Sequence, residues 1–256
     1  MLLAIDVGNT QTVVGLFAED GELLDHWRIA TVATRTSDEL ALMIQQFLGF
    51  HNFAFDDAIS GIAIASGVPS LTAALREMSV RYFGEPPLVI EPGVRTGMPI
   101  LYDNPKEVGA DRIANAVAAY DMYGGPVIVV DFGTANTIEA ISAKGEYLGG
   151  AIFPGIEISM DALFGRAAAL RRVELVEPKH VIGKSTIESI QSGAVYGFAG
   201  QTDALVDRFV AELGPCAVIA TGGLAPLVMP HSRTIQHVEP WLTLLGLRIV
   251  WGRNRD

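Results

Sequence analysis

The chain has 256 residues, of which 50% are hydrophobic, a single cysteine and a formal net charge of −11. That length holds one large domain or two small ones. Cys216 alone excludes an intramolecular disulfide and a multi-cysteine zinc site, and the acidic balance argues against a general nucleic-acid binder. An anionic small molecule is still allowed, because local amides and cations can reverse the field at one place. No run of about 18 apolar residues is present, so a membrane span is not expected. The first residues enter a strand at once, with no basic leader or cleavage site, and a reducing, cytosolic setting fits.

Three strands are expected first, over 2–7, 11–18 and 22–29, as an antiparallel meander. Thr36-Ser-Asp-Glu39 has the spacing of a capping box and predicts a helix to about residue 49. Ile59–Ala65 reads as a buried strand, with a helix after Pro69 and a short strand over Pro87–Glu91. Residues 92–107 are rich in Gly, Pro and polar side chains and predict a long loop. A helix then runs from Asp111 to Tyr123, stopped by Gly124-Gly125-Pro126. The pattern restarts at Val127, with strands over 127–131, 135–142 and 145–153 and a helix after Pro154-Gly155. Ser185-x-x-Glu188 is a second capping-box pattern, heading a long helix to Leu213. Cys216–Thr221 predicts a strand ending at Gly222-Gly223, and a last helix covers 242–251. Meander first and helix–strand alternation later, twice over, is the order of two ribonuclease-H-like halves. The division is placed at 1–118 and 119–256.

The two halves echo each other residue by residue. Asp6-Val-Gly-Asn-Thr10 recurs as Asp131-Phe-Gly-Thr-Ala135, each after an apolar run. Gly21-Glu-Leu-Leu24 recurs as Gly145-Glu-Tyr-Leu148, at an interval one residue shorter. A glycine turn lets backbone N–H groups approach an anion. Asn9, Thr10 and Thr12 can donate to phosphate oxygens, and Asp6 can hold a hydrated divalent ion. A plain hairpin explains either copy alone; it does not explain matched aspartates at both strand ends. Asp131 ends an apolar strand, where a carboxylate is costly unless a cation or hydrogen bonds compensate it. A nucleoside triphosphate held between two facing halves fits this arrangement. Gly109-Ala-Asp-Arg112 allows two readings: a helix cap with a surface arginine, or a general base beside an arginine for an anionic group. Gly183-Lys-Ser185 is not a P-loop, since Pro178 stands where the first glycine is needed. Thr221-Gly-Gly-Leu224 is either a tight turn or a backbone surface for a flat ring.

Taken together, these segments resemble the type III pantothenate kinases, a family of the acetate-kinase, sugar-kinase, Hsp70 and actin superfamily. The likeness spans nearly the whole chain and includes Gly149-Gly150…Pro154-Gly-Ile156, Ile182-Gly-Lys-Ser-Thr186 and Gln191-Ser-Gly193. Gly-Ala-Asp-Arg and Ile-Gly-Lys-x-Thr are its most specific parts. The resemblance implies an α/β fold of two ribonuclease-H-like, actin-like ATPase domains. Each is a mixed sheet with flanking helices, and the two face across a nucleotide cleft. It implies ATP-dependent phosphorylation of pantothenate to 4'-phosphopantothenate, the first step of coenzyme A biosynthesis. By position, Asp6, Val7, Gly8, Asn9, Thr10, Gln11, Thr12 and Val13 line the ATP phosphates, joined by Thr134. Asp111 is the general base. Tyr102, Gly109, Ala110, Asp111, Arg112 and Thr186 contact pantothenate. Asp131 holds a monovalent cation, potassium or ammonium, and Mg²⁺ accompanies ATP. A cytoplasmic homodimer is implied, without nucleic-acid or membrane partners. Asn136-Thr-Ile-Glu139 departs from the Thr-Thr-Phe-Asp of many relatives and moves a carboxylate by one methylene. Two other readings compete: another small-acid or sugar kinase of the superfamily, and a nucleotide-dependent regulatory protein without transfer activity.

Overall fold

Two five-stranded mixed sheets carry the fold in this computed structural model, which describes residues 1–53, 59–167 and 169–255. The first contains β1 (Leu2–Val7), β2 (Gln11–Phe17), β3 (Leu23–Ala30), β4 (Gly61–Ser66) and β5 (Leu88–Val89), in the order β3-β2-β1-β4-β5. The second contains β6 (Val127–Phe132), β7 (Ala135–Ile141), β8 (Tyr147–Pro154), β9 (Ala217–Thr221) and β10 (His237–Val238). Its order, β8-β7-β6-β9-β10 from one edge, is the same. In both, the first three strands run antiparallel and the last two parallel to the first. This is the ribonuclease-H-like order expected from the sequence. The central strands β1 and β6 are apolar on both faces up to Asp6 and Asp131, as strands covered on both sides are.

The register explains the echo in the sequence. Val7 pairs with Thr12 across the first hairpin, and Phe132 pairs with Asn136 across the second, whose turn is one residue shorter. Downstream the copies stay in step. Each has a bulge at the same place, between Leu16 and Phe17 in one and between Ala140 and Ile141 in the other.

Seven α-helices are described: α1 (Ser37–Gly49), α2 (Pro69–Met78), α3 (Ala110–Tyr123), α4 (Ile156–Arg166), α5 (Thr186–Leu213), α6 (Ala225–Val228) and α7 (Leu242–Arg253). A π-helical turn, Ser79–Phe83, extends α2. The capping box at α1 is complete: the Glu39 amide donates to Thr36 Oγ1 at 3.3 Å, and the Thr36 amide donates to Glu39 Oε2 at 2.8 Å. At α5 only half of it forms. Glu188 N donates to Ser185 Oγ at 3.2 Å, but the Glu188 carboxylate takes the Lys184 amide instead of the Ser185 amide.

The chain divides into two compact units: Met1–Met98 with Asp103–Ala118 and Thr243–Asp256, and Pro99–Tyr102 with Ala119–Leu242. The sequence division put residues 243–256 in the second half. They pack with the first because α7 lays apolar residues on that sheet, with Leu244 over Gly15 and Trp251 against Gly61. In the first unit Leu3, Ile5 and Val7 of β1 pack against Leu40 and Ile44 of α1 and Leu71 and Leu75 of α2. In the second, Ile128, Val130 and Phe132 of β6 pack against Ala194 and Phe198 of α5. Alternation therefore turns Asp6 and Asp131 to the opposite face of their sheets.

One buried carboxylate anchors the second unit. Asp203 on α5 accepts from Ser232 Oγ at 2.6 Å, Thr234 Oγ1 at 2.6 Å and the amides of Arg233 and Thr234 at 3.1 and 3.2 Å. Burial pushes its carboxyl up, but these donors outweigh burial and hold it below the ordinary 3.8. A depressed folded value means stability that is present above pH 3.8 and lost as pH falls through the folded value. Asp203→Asn is expected to cost about 2 kcal/mol at pH 7. Urea titrations at pH 7 and near pH 3 check this, and the gap between wild type and variant is expected to shrink at the acid end.

Candidate active site

The first glycine turn is built at the end of β1. Gly8 N donates to Gln11 O at 3.0 Å, closing the loop, and Asn9, Thr10 and Gln11 stand exposed on it. The turn is held from beneath by Thr31, just past β3, which the sequence reading did not single out. Its Oγ1 donates to Gly8 O at 2.8 Å and lies 2.9 Å from the buried Thr12 Oγ1, while its amide donates to Thr10 O at 2.9 Å. Thr12 and Thr31 are thus supports for the turn. Val7 sends its side chain into the core, so only its backbone is open to a ligand. Asp6 and Val13 pair across the hairpin on the face away from that core, both half-buried.

Gly109-Ala-Asp-Arg112 opens α3. The helix begins at Ala110, so Asp111 lies in the first turn and is not the residue preceding it. Its Oδ1 accepts the Arg112 amide at 2.9 Å. The same oxygen would lie 2.4 Å from a Cβ at position 109, so the carboxylate folds back over bare glycine backbone. The result is an exposed carboxylate at the positive end of a helix, tied by one oxygen to the first-turn backbone. Of the two readings of this segment, the one with a surface arginine does not hold, since Arg112 is only 8% exposed. One turn on, buried Asn115 accepts from Thr243 Oγ1 at 2.8 Å and ties α3 to α7.

The second glycine turn, one residue shorter, follows β6. Asp131, the last residue but one of β6, is half-buried and follows Val127–Val130, which are fully buried. Thr134 is exposed on the turn, and its carbonyl accepts the Gly155 amide at 3.1 Å. Beside it, Gly222 has φ +90, and a Cβ there would lie 2.5 Å from Phe132 O and 2.6 Å from Asp131 Oδ1. Two oxygens thus face one bare glycine, a donor set suited to a hard cation. Asn136 is fully buried on the side facing α5, and Glu139 is buried on the face shared with Asp131.

Tyr102 is half-buried beside β8. Thr186, the first residue of α5, lies on an open groove of about 730 Å³ with Met160, Leu163, Lys184 and Ile190 in its walls. Tyr102 is not among those walls. The sequence-assigned residues therefore fall into a first-unit set, Asp6–Val13 with Gly109–Arg112, and a second-unit set, Tyr102, Asp131, Thr134 and Thr186.

Paired sheets of this order, each with an aspartate near the end of its first strand and a glycine turn after it, define the actin-like ATPase and sugar-kinase class of fold. The solved activator of 2-hydroxyisocaproyl-CoA dehydratase from Clostridium difficile, with ADPNP bound, has a TM-score of 0.58 at 12% identity, covering 97% of this chain and 92% of that one. The polyphosphate/ATP-glucomannokinase from Arthrobacter sp. strain KM gives 0.54 at 15% identity, covering 99% of both. The family is fixed by sequence. The profile of type III pantothenate kinase matches residues 2–208. A type III pantothenate kinase of Streptomyces avermitilis is 59% identical over 99% of this chain and 98% of its own length. The chain belongs to the type III pantothenate kinase family.

Proposed function

We propose that the chain transfers the γ-phosphoryl group of ATP to the primary hydroxyl of pantothenate, giving 4'-phosphopantothenate, the first step of coenzyme A biosynthesis. The observation that carries this reading is Gly109-Ala-Asp-Arg112 at the start of α3, in a chain that matches the family nearly end to end. Asp111 accepts the hydroxyl proton as that oxygen attacks phosphorus and the ADP oxygen leaves. Phosphoryl transfer asks mainly for positioning and charge stabilisation, so one oriented carboxylate is enough base. The amides of residues 6–13 and the exposed Thr10 hydroxyl, with Thr134, bind the triphosphate. Tyr102, Gly109, Ala110, Arg112 and Thr186 bind pantothenate, and Arg112 offers its carboxylate a fixed cation.

Mg²⁺ enters with ATP. Among the described residues no group of three or more His, Cys, Asp or Glu side chains forms a metal cage. An ion carried on phosphate oxygens and water needs only one or two carboxylates, and Asp6 is the one assigned. A potassium or ammonium ion at Asp131, beside the bare surface of Gly222, would supply positive charge to the phosphates. A homodimer belongs to the same reading. Leu148, Ile152, Ile158, Ile187 and, at 81% exposure, Ile182 leave apolar surface on the second unit that a second copy would cover. No described helix is long and apolar enough to cross a membrane, and a cytoplasmic setting is proposed.

The test is ADP release from purified protein with ATP, Mg²⁺ and potassium. Release is expected to require pantothenate. Release driven equally by a sugar or a short acid, or none with any acceptor, overturns the assignment.

A further inference from the structure

Buried beneath Tyr102 is a polar pair that the assigned roles leave unused. Glu139 on β7 is 1% exposed and Tyr147 on β8 is 0% exposed, and the Tyr147 hydroxyl donates to Glu139 Oε2. The bulge in this hairpin makes the pair possible. Ala140 pairs with Gly149 and Ile141 with Tyr147, so Leu148 is the extra residue. Skipping it turns Tyr147 to the face that carries Glu139, the re-aiming for which bulges are used. Glu139 stands opposite Gly150, where a Cβ would lie 2.7 Å from its Oε2 and 2.1 Å from Ile138 O. The longer carboxylate is seated against bare backbone.

Tyr147 in turn holds the segment that presents Tyr102. Its amide donates to Pro99 O at 2.9 Å, and its carbonyl accepts Leu101 N at 2.8 Å, a parallel bridge centred on Ile100. The Tyr147 ring meets the Tyr102 ring edge-on, with centroids 6.3 Å apart and planes at 61°. Gly149, at φ +128, leaves the other surface on which the Tyr102 ring rests. Tyr102 therefore lies between Gly149 and a tyrosine ring whose hydroxyl is anchored by a buried hydrogen bond.

We propose that Glu139 and Tyr147 are positioning residues for pantothenate, acting through Tyr102. The inference rests on the assignment of Tyr102 to that substrate. A freed phenyl ring at 147 lets Tyr102 rotate or tilt, which weakens binding of the acceptor in ground and transition states alike and leaves the triphosphate untouched.

Steady-state kinetics on Tyr147→Phe test it. KM for pantothenate is expected to rise about fivefold, with kcat and KM for ATP within about twofold of wild type. Tyr102→Ala is run beside it, and the double variant is expected to match Tyr102→Ala alone, because Tyr147 acts only through Tyr102. An unchanged pantothenate KM in Tyr102→Ala removes the assignment of Tyr102 itself. A raised KM in Tyr102→Ala with wild-type values in Tyr147→Phe overturns the positioning role and spares that assignment. A fall in kcat with both KM values unchanged, tracking a lower melting midpoint, marks a merely structural pair and also overturns it. If the isolated carboxylate unfolds Tyr147→Phe, the paired Tyr147→Phe/Glu139→Gln variant, which buries no charge, carries the same comparison.

Discussion

Asp111→Asn is expected to lower kcat about 10³-fold, the middle of the range for loss of a general base, while ATP affinity stays within about twofold of wild type. The geometry makes this substitution clean. The Asp111 oxygen that accepts the Arg112 amide has an equivalent in the asparagine side chain, so the first turn of α3 keeps its hydrogen bond. Gly109 presents the same bare backbone to the new side chain. Further along the helix, Asn115 and Thr243 hold its position independently. What the variant lacks is an acceptor for the hydroxyl proton of pantothenate. Single-turnover phosphorylation at saturating pantothenate isolates that step, and nucleotide titration gives the ATP affinity. A variant that turns over within tenfold of wild type would leave Asp111 as a helix-terminal side chain and send the search for the base elsewhere.

The repeat was the most legible part of the fold, because strand, glycine turn and strand are local features. Alternation in 2–7 and 127–132 places the aspartates, and the shift of one residue between the echoes reappears as a shorter turn. Features with distant causes were not legible. Thr31 supports the Gly8 turn from the far end of β3, and nothing in its own neighbourhood marks it. Arg112 reads as a first-turn surface charge in one of its two readings, because an arginine beside a helix start is usually solvated; its burial depends on what packs around α3. The same holds for α7, whose periodicity predicts a helix but not the sheet that receives Leu244 and Trp251. Glu139 read only as a departure from a family pattern. Its partner is set by a bulge, and a bulge moves one strand against another without any local signature in either.

Asp131→Asn is expected to lower kcat/KM about 10²-fold in potassium, a loss comparable to that of one electrostatic donor at a transferring group, and to erase the difference between potassium and sodium. The reasoning starts from the strand. Val127, Ile128, Val129 and Val130 are fully buried, so Asp131 brings a carboxylate to the end of a dry segment. Ionised oxygen in such a place is stable only with compensation. Gly222 keeps the approach to Asp131 Oδ1 and Phe132 O open, and any side chain at 222 would close it. A weakly hydrated monovalent ion can share those oxygens, whereas the amide of Asn carries no charge to retain it. Asn is close in shape, so the variant should fold, and its melting midpoint in sodium serves as the control. Kinetics of wild type and variant in each salt at matched ionic strength separate the outcomes. Wild-type activity that ignores the exchange of potassium for sodium removes the cation from Asp131 and leaves phosphoryl transfer resting on Mg²⁺, the turn amides and Asp111. A strong potassium requirement that survives in Asp131→Asn places the ion on other oxygens.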